Sequence, residues 1–159
     1  MAVKPIPEGY HTLTPYLVVK GAARALDFYK KAFGATELFR MAGPDDRVMH
    51  AEFKIGNSML MIGDEYPEMG PEMNVIGPAT LGGTPVGFCL YVEDADAVFA
   101  KAVAAGAKVV KPLANQFYGD RSGTVTDPFG HKWTVSTHIE DVTPEECERR
   151  MAAMKPGTC

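Results

Sequence analysis

Several signals that would assign a chain quickly are missing from this one. Cysteine is scarce: Cys89, Cys147 and Cys159 form an odd set with no CxxC spacing. That excludes a disulfide framework and a thiolate zinc site, and it suits a reducing, cytoplasmic compartment. No apolar run approaches the roughly 20 residues needed to span a bilayer. The opening MAVKPIPEGY lacks the charged-then-apolar build of a secretion signal, so neither a membrane nor an exported context is expected. Charge of one sign is not concentrated anywhere: 16 basic and 20 acidic residues are interspersed, for a net −4. Without a basic stripe there is no electrostatic footprint for nucleic acid. A nucleophile elbow, a Ser-His-Asp arrangement and a phosphate-cradling glycine loop are absent too.

What is present is a duplication. Leu13 to Val19 (LTPYLVV) leads into GAARALDFYKKAFGA, and Val86 to Val92 (VGFCLYV) leads into EDADAVFAKAVAAGA. Each is a β-rich apolar run, then an alanine-rich segment with helical spacing, then Gly-Ala. Leu26, Tyr29 and Phe33 predict the buried stripe of the first helix. Val98, Ala102 and Val103 predict that of the second, with Asp94 as its N-cap. Gly34 and Gly106 stand where a left-handed residue closes a helix. Val19 answers Val92 at an offset of 73 residues and Gly34 answers Gly106 at 72; a constant offset over whole elements is the mark of an internal repeat.

Three short strands follow each helix. They are expected near 36–41, 47–55 and 58–62 in the first copy, and near 108–112, 124–126 and 132–138 in the second, where DPFG makes the last hairpin turn. The fold class is therefore α+β: two βαβββ modules, about 10–64 and 86–138, forming a cupped mixed sheet with helices outside. Residues 65–85, rich in proline and glycine, read as a linker that doubles as a lid carrying Met69 and Met73. In the 139–159 tail, Thr143, Pro144 and Glu146 make a capping box for a helix from Pro144 to Met154.

Strand alternation sorts the faces. Leu17, Val19, Ala51, Phe53, Ile55, Phe88, Leu90, Trp133 and Val135 belong to the helix-covered side, together with Leu13 and Met49. Tyr16, His50, Glu52, Tyr91, Thr134, Ser136 and His138 fall on the other, with Gly87 and Cys89. That second face is either a wet outer surface or a cup. Its aromatic and small polar residues, with few lysines, favour the cup, since pockets mix apolar walls with a few polar groups.

Together, LVVKGAARALDFYKKAFGA, HAEFKIGNSMLMIGDE and DRSGTVTDPFGHKWTVSTH resemble the vicinal oxygen chelate superfamily, which includes glyoxalase I, extradiol dioxygenases and the bleomycin- and fosfomycin-resistance proteins. With the tail EDVTPEE the chain looks most like its PhnB-like branch. The resemblance implies a homodimer, and metal ligands on the first and last strands of each module. Those positions fall here on Thr14, Met61 (Leu60 if the strand is one residue out of phase), Gly87 and Thr134. Thioether, alkyl, glycine and threonine do not suit Zn, Ni or Fe. The expectation is thus a small-molecule binder without metal or other cofactor. Thr14, Tyr16, His50, Glu52, Met61, Tyr91 and Thr134 would line its site, His138 and Arg121 would add polar contacts, and Tyr118 would stand at the entrance. The alternative is a lyase or isomerase using His50 and Glu52 as acid–base groups, or a divalent metal held by His50, Glu52 and His138.

Overall fold

The computed structural model describes residues 3–73 and 75–154, so Cys159 lies outside the described residues. Module one runs β1 (Tyr16–Val19), α1 (Ala22–Phe33), β2 (Thr36–Ala42), β3 (Val48–Ile55) and β4 (Ser58–Asp64). After a short helix, α2 (Pro78–Leu81), module two runs β5 (Gly87–Tyr91), α3 (Ala95–Ala104), β6 (Lys108–Asn115), β7 (Asp120–Thr126) and β8 (Lys132–His138). Helix α4 (Pro144–Ala153) closes the described chain. Each module makes its own four-stranded sheet, in the orders β1-β4-β3-β2 and β5-β8-β7-β6. In both, the first strand lies parallel to the last and the other pairs are antiparallel. This is the α+β pair of βαβββ modules that the repeat implied, with the cupped sheet divided into two halves.

The predicted caps are in place. Asp94 accepts a hydrogen bond from Ala97 N at 2.9 Å and Thr143 from Glu146 N at 3.3 Å. Gly34 closes α1 at φ 67°, which an L side chain resists. The N-terminus of α1 is capped from a distance. Asp64, the last residue of β4, accepts from Gly21 N, Ala22 N and Val48 N at 2.6, 3.0 and 2.7 Å. One buried carboxylate thus joins helix start, β3 and β4.

The apolar faces of both sheets meet α1 and α3 in one shared core. Tyr29 of α1 stacks on Phe53 at 5.4 Å and tilts against Trp133 of the other module at 5.4 Å. Phe33 packs 4.8 Å from Trp133, and Phe28 meets Phe129 edge-on at 6.3 Å. Asp127, the turn residue of DPFG, sits at the centre and is 3% exposed. Its Oδ1 accepts from Phe129 N and His131 N, which makes the turn. Its Oδ2 accepts from the Tyr29 hydroxyl at 2.8 Å and the Trp133 indole at 2.9 Å. Burial and this carboxylate push the Tyr29 phenol well above its ordinary value.

Four expectations need correction. The first strand begins at Tyr16, because Pro15 has no N–H for the ladder; its carbonyl accepts from Met61 N at 2.9 Å, and Leu13 is 85% exposed. The buried stripe of α3 is Ala95, Phe99 and Ala102, with Val103 exposed. Phe99 sits over Gly123, where a Cβ would lie 2.7 Å from its ring, so the missing side chain on β7 sets the phase of the helix. Met49 is exposed because the β2–β3 register slips between Met41 and Ala42, pairing His50 and then Val48; the extra residue is turned out as a bulge. Strands β6 and β7 extend to Asn115 and back to Asp120, since pairing of Asp120 to Thr126 with β8 overrides the poor β propensity of Asp-Arg-Ser-Gly.

The linker is anchored through the buried Glu65, which accepts from Gly77 N at 3.0 Å and Thr80 Oγ1 at 2.8 Å. Replacing Asp127 by alanine would strand two buried side-chain donors as well as the turn. Urea unfolding is expected to show a loss of about 3–5 kcal/mol, against about 1–2 kcal/mol for Tyr29→Phe.

Candidate functional site

The faces turned away from the core carry the candidate site residues. On sheet one the register sets Tyr16 beside Met61, Met61 beside Glu52, and Glu52 beside Phe39, a single row across all four strands. His50 lies one pleat further along β3 on the same side. Its Nδ1 is 3.3 Å from the Tyr16 hydroxyl and its Nε2 is 3.5 Å from Glu52 Oε1; both contacts are long. The Tyr16 and His50 rings lie 5.6 Å apart, and Phe39 lies 6.4 Å from His50. Gly63 makes this possible: a Cβ there would come within 3.0 Å of the Tyr16 hydroxyl and 2.9 Å of Met49 O.

Residues 5–14 fold back over this row. Between them and the sheet is a cavity of about 430 Å³ lined by Ile6, Tyr10, His11, Thr14, Glu52 and Met61, among others. The Tyr10 hydroxyl is buried beside Glu52 without a well-formed hydrogen bond. Burial, then the neighbouring carboxylate, pushes its pKa up to about 12. The N-terminal segment therefore covers the Met61 and Glu52 part of the face and leaves Tyr16 and Phe39 half-exposed. Met69 and Met73, expected there, are exposed in 3₁₀ turns of the linker, where neighbouring Glu68 pairs with Arg47 at 2.7 Å. Nothing in the periodicity gave Tyr10; the only signal was an aromatic following the closely spaced Pro5 and Pro7 just before a strand.

Sheet two holds a separate polar group. Tyr91 donates to Asp120 Oδ2 at 2.7 Å, and His138 Nδ1 meets Asp120 Oδ1 at 2.9 Å. His138 Nε2 lies 3.0 Å from Asp141. Asp120 is buried beneath these side chains, and its hydrogen bond with Tyr91, aided by desolvation, raises that phenol to about 12. Thr134 bonds Thr124 at 2.9 Å, and Cys89 Sγ lies 3.8 Å from Ser136 Oγ. Cys89, placed on this face by alternation, is exposed there. Tyr118 stands over the same face, 3.4 Å from Ser122.

The structure thus gathers Thr14, Tyr16, His50, Glu52 and Met61 in one place and Tyr91, Thr134 and His138 in another. His50, Glu52 and His138 do not form one set. Among the described residues no three His, Cys, Asp or Glu side chains are close enough to hold a metal ion. Arg121 is on the wrong side for a cup residue. It shares the parity of buried Val125, so it reaches α3 and grips Asp96 at 2.5 and 2.6 Å, with Asn115 at 3.1 Å. Of the two last-strand alternatives, Met61 faces the cup and Leu60 the core. The four positions to which the resemblance assigned metal ligands are Thr14, bonded weakly to His11 O, Met61, Gly87 and the Thr124-bonded Thr134. This donor set does not fit a transition metal.

The sequence matches the family described as Glyoxalase/Bleomycin resistance protein/Dioxygenase superfamily over residues 10–135. The chain belongs to this superfamily. A protein of Mycobacterium bovis, Mb0911c, is 45% identical over 147 residues, covering 91% of this chain and 95% of its own. The X-ray structure of the Arabidopsis thaliana At5g48480 product is 32% identical, with a TM-score of 0.63 over 80% of this chain and 98% of that one. A PhnB protein of Bacillus cereus shares the fold, with a TM-score of 0.62 at 19% identity over 80% of this chain and 99% of that one. No helix of this superfamily member is long and apolar enough to cross a membrane, among the described residues.

Hydrogen bonds to Asp141 and then Asp120 raise the His138 pKa above its ordinary 6.5, because both ring nitrogens can donate only when the ring is protonated. The stabilisation is complete below pH 6.5 and is lost as pH rises through the folded value. An NMR titration should place the His138 midpoint above that of a free histidine, and Asp141→Asn should lower it. A midpoint unchanged by that substitution would show that Asp141 does not hold the ring.

Proposed function

We propose that this chain is a small-molecule binding protein of the glyoxalase and bleomycin-resistance type, working as a homodimer without the superfamily's usual catalytic metal. One observation carries the binding reading: a cavity of about 430 Å³, of ligand-pocket size, lies between the N-terminal segment and Met61 and Glu52 of the sheet. The metal-free reading rests on the donor chemistry of Thr14, Met61, Gly87 and Thr134, none of which supplies imidazole, carboxylate or thiolate.

The homodimer reading rests on the two open sheet faces. Tyr16, Phe39, Met41 and Tyr91 are large side chains left 43–61% exposed on them. Large apolar patches of this kind are characteristic of interaction sites. In an isologous pair, sheet one of each copy can face sheet two of the other, which would bring the His50 and His138 groups to one ligand. A second reading, acid–base catalysis, draws on the buried Asp120 that orients His138 through its Nδ1.

Thermal-shift screening against planar aromatic compounds should find stabilising ligands, and Tyr16→Ala should weaken the best of them by about tenfold. A library that stabilises nothing would sink the binding reading. Metal analysis of protein purified without chelators should give well under one equivalent, and stoichiometric Zn, Ni, Mn or Fe would overturn the metal-free reading. Sedimentation should give a dimer that Met41→Lys weakens. Turnover of a bound ligand, abolished by His138→Ala, would favour the catalytic reading.

A further inference from the structure

Most carboxylates of this protein have visible structural work. Glu37, Glu68, Asp96, Glu140 and Glu146 pair with arginines. Asp64, Glu65 and Asp127 accept hydrogen bonds from backbone, hydroxyl and indole donors. Glu52 stands apart. Its side chain is 29% exposed, and the one histidine, lysine or arginine within 4.0 Å of it among the described residues is His50, at 3.5 Å; the Tyr10 hydroxyl also lies beside it. The residues lining its cavity include no lysine or arginine.

The surroundings of Glu52 are apolar and aromatic. Ile6, Met61 and the ring of Tyr10 form the walls of the cavity. Met61 and Phe39 flank Glu52 in its row, with Tyr16 beyond Met61; Tyr16 and Phe39 are half-exposed, and the His50 ring lies tilted 5.6 and 6.4 Å from theirs. The other charged or titratable groups on this side are His11, His50 and Lys54, the last one pleat beyond Glu52 at the exposed end of β3.

We propose that this cavity takes an organic cation: a protonated or quaternary amine carried on an aromatic or apolar body, with the amine against Glu52. The inference rests on the small-molecule-binding reading and names its ligand class. A cation satisfies the carboxylate as it is desolvated and gains the electron-rich ring of Tyr10 in the cavity wall, with Phe39 beside Glu52 in the row. An anion would meet Glu52 with no lysine or arginine in the lining to compensate it. A neutral body would fill the walls and leave the carboxylate without a counter-charge. Residues 5–14 close over the bound body, and the backbone hydrogen bonds among them are internal, such as Tyr10 N to Pro7 O, so the cover can part from the sheet without breaking a ladder.

The test compares phenyltrimethylammonium, its neutral isostere tert-butylbenzene and benzoate, titrated by NMR into the full-length protein and into E52Q. The wild type should bind the cation about tenfold more tightly than the isostere, and E52Q should reduce that preference to about twofold or less. Equal binding of cation and isostere, or a preference for benzoate, overturns the cation assignment and leaves the binding reading standing. A preference that survives in E52Q removes Glu52 from it. Should all three probes fail while a library compound binds, the assignment falls alone; should nothing bind at all, both readings fall. If E52Q does not fold, the wild-type preference and its decline with added salt decide.

Discussion

Asp127 is a carboxylate held inside an aromatic core, and four donors converge on it: two backbone N–H groups of its own turn, the Tyr29 hydroxyl and the Trp133 indole. A buried charge is tolerable only when it is satisfied in this way. Two of the donors shape the DPFG turn, which fixes where β8 begins. The other two reach across the modules, since Tyr29 belongs to α1 of the first and Trp133 to β8 of the second. Through Tyr29 the same carboxylate positions the Phe53 ring that floors β3. The phase of β3, and so the outward direction of His50 and Glu52, follows from a contact made on the opposite side of the sheet.

Because the modules share their apolar faces with one another, their polar faces point outward. That single fact divides the site. Sheet one presents an aromatic and thioether row with one carboxylate, roofed in part by the N-terminal segment. Sheet two presents a hydrogen-bonded set around Asp120, Ser136 and Thr134. Each half is pre-formed, and within one chain they serve different neighbours. The superfamily's fold is kept whole here, and Thr14, Met61, Gly87 and Thr134 supply no imidazole, carboxylate or thiolate. Fold membership and reaction are separable properties.

Much of the scaffold was legible because it depends on local rules. The repeat offset, the caps at Asp94 and Thr143, the left-handed Gly34 and the alternation along β3, β5 and β8 all follow from backbone geometry and short-range hydrogen bonding. Some errors arose where a neighbour distant in sequence decided the outcome: a bulge turned Met49 outward, and Gly123 chose Phe99 over Val103 as the buried residue of α3. Pro15, which cut the first strand short, was a local signal that the apolar run outweighed. For the site, Tyr16, His50, Glu52 and Met61 could be placed on one face by counting. Arg121 could have been removed by the same count, had β7 been recognised as beginning at Asp120.

The sequence by itself determined the two modules, their fold class, the face on which Tyr16, His50, Glu52, Tyr91, Thr134 and His138 lie, and the poor metal-binding chemistry of Thr14, Met61, Gly87 and Thr134. These are matters of residue type and periodicity, which a chain carries whatever its partners. Only the tertiary structure decided which faces met. It set the modules back to back, separated His138 from His50 and Glu52, and brought Tyr10 over Glu52 from outside any periodic element. Such contacts join residues far apart in the chain, and no local pattern encodes them.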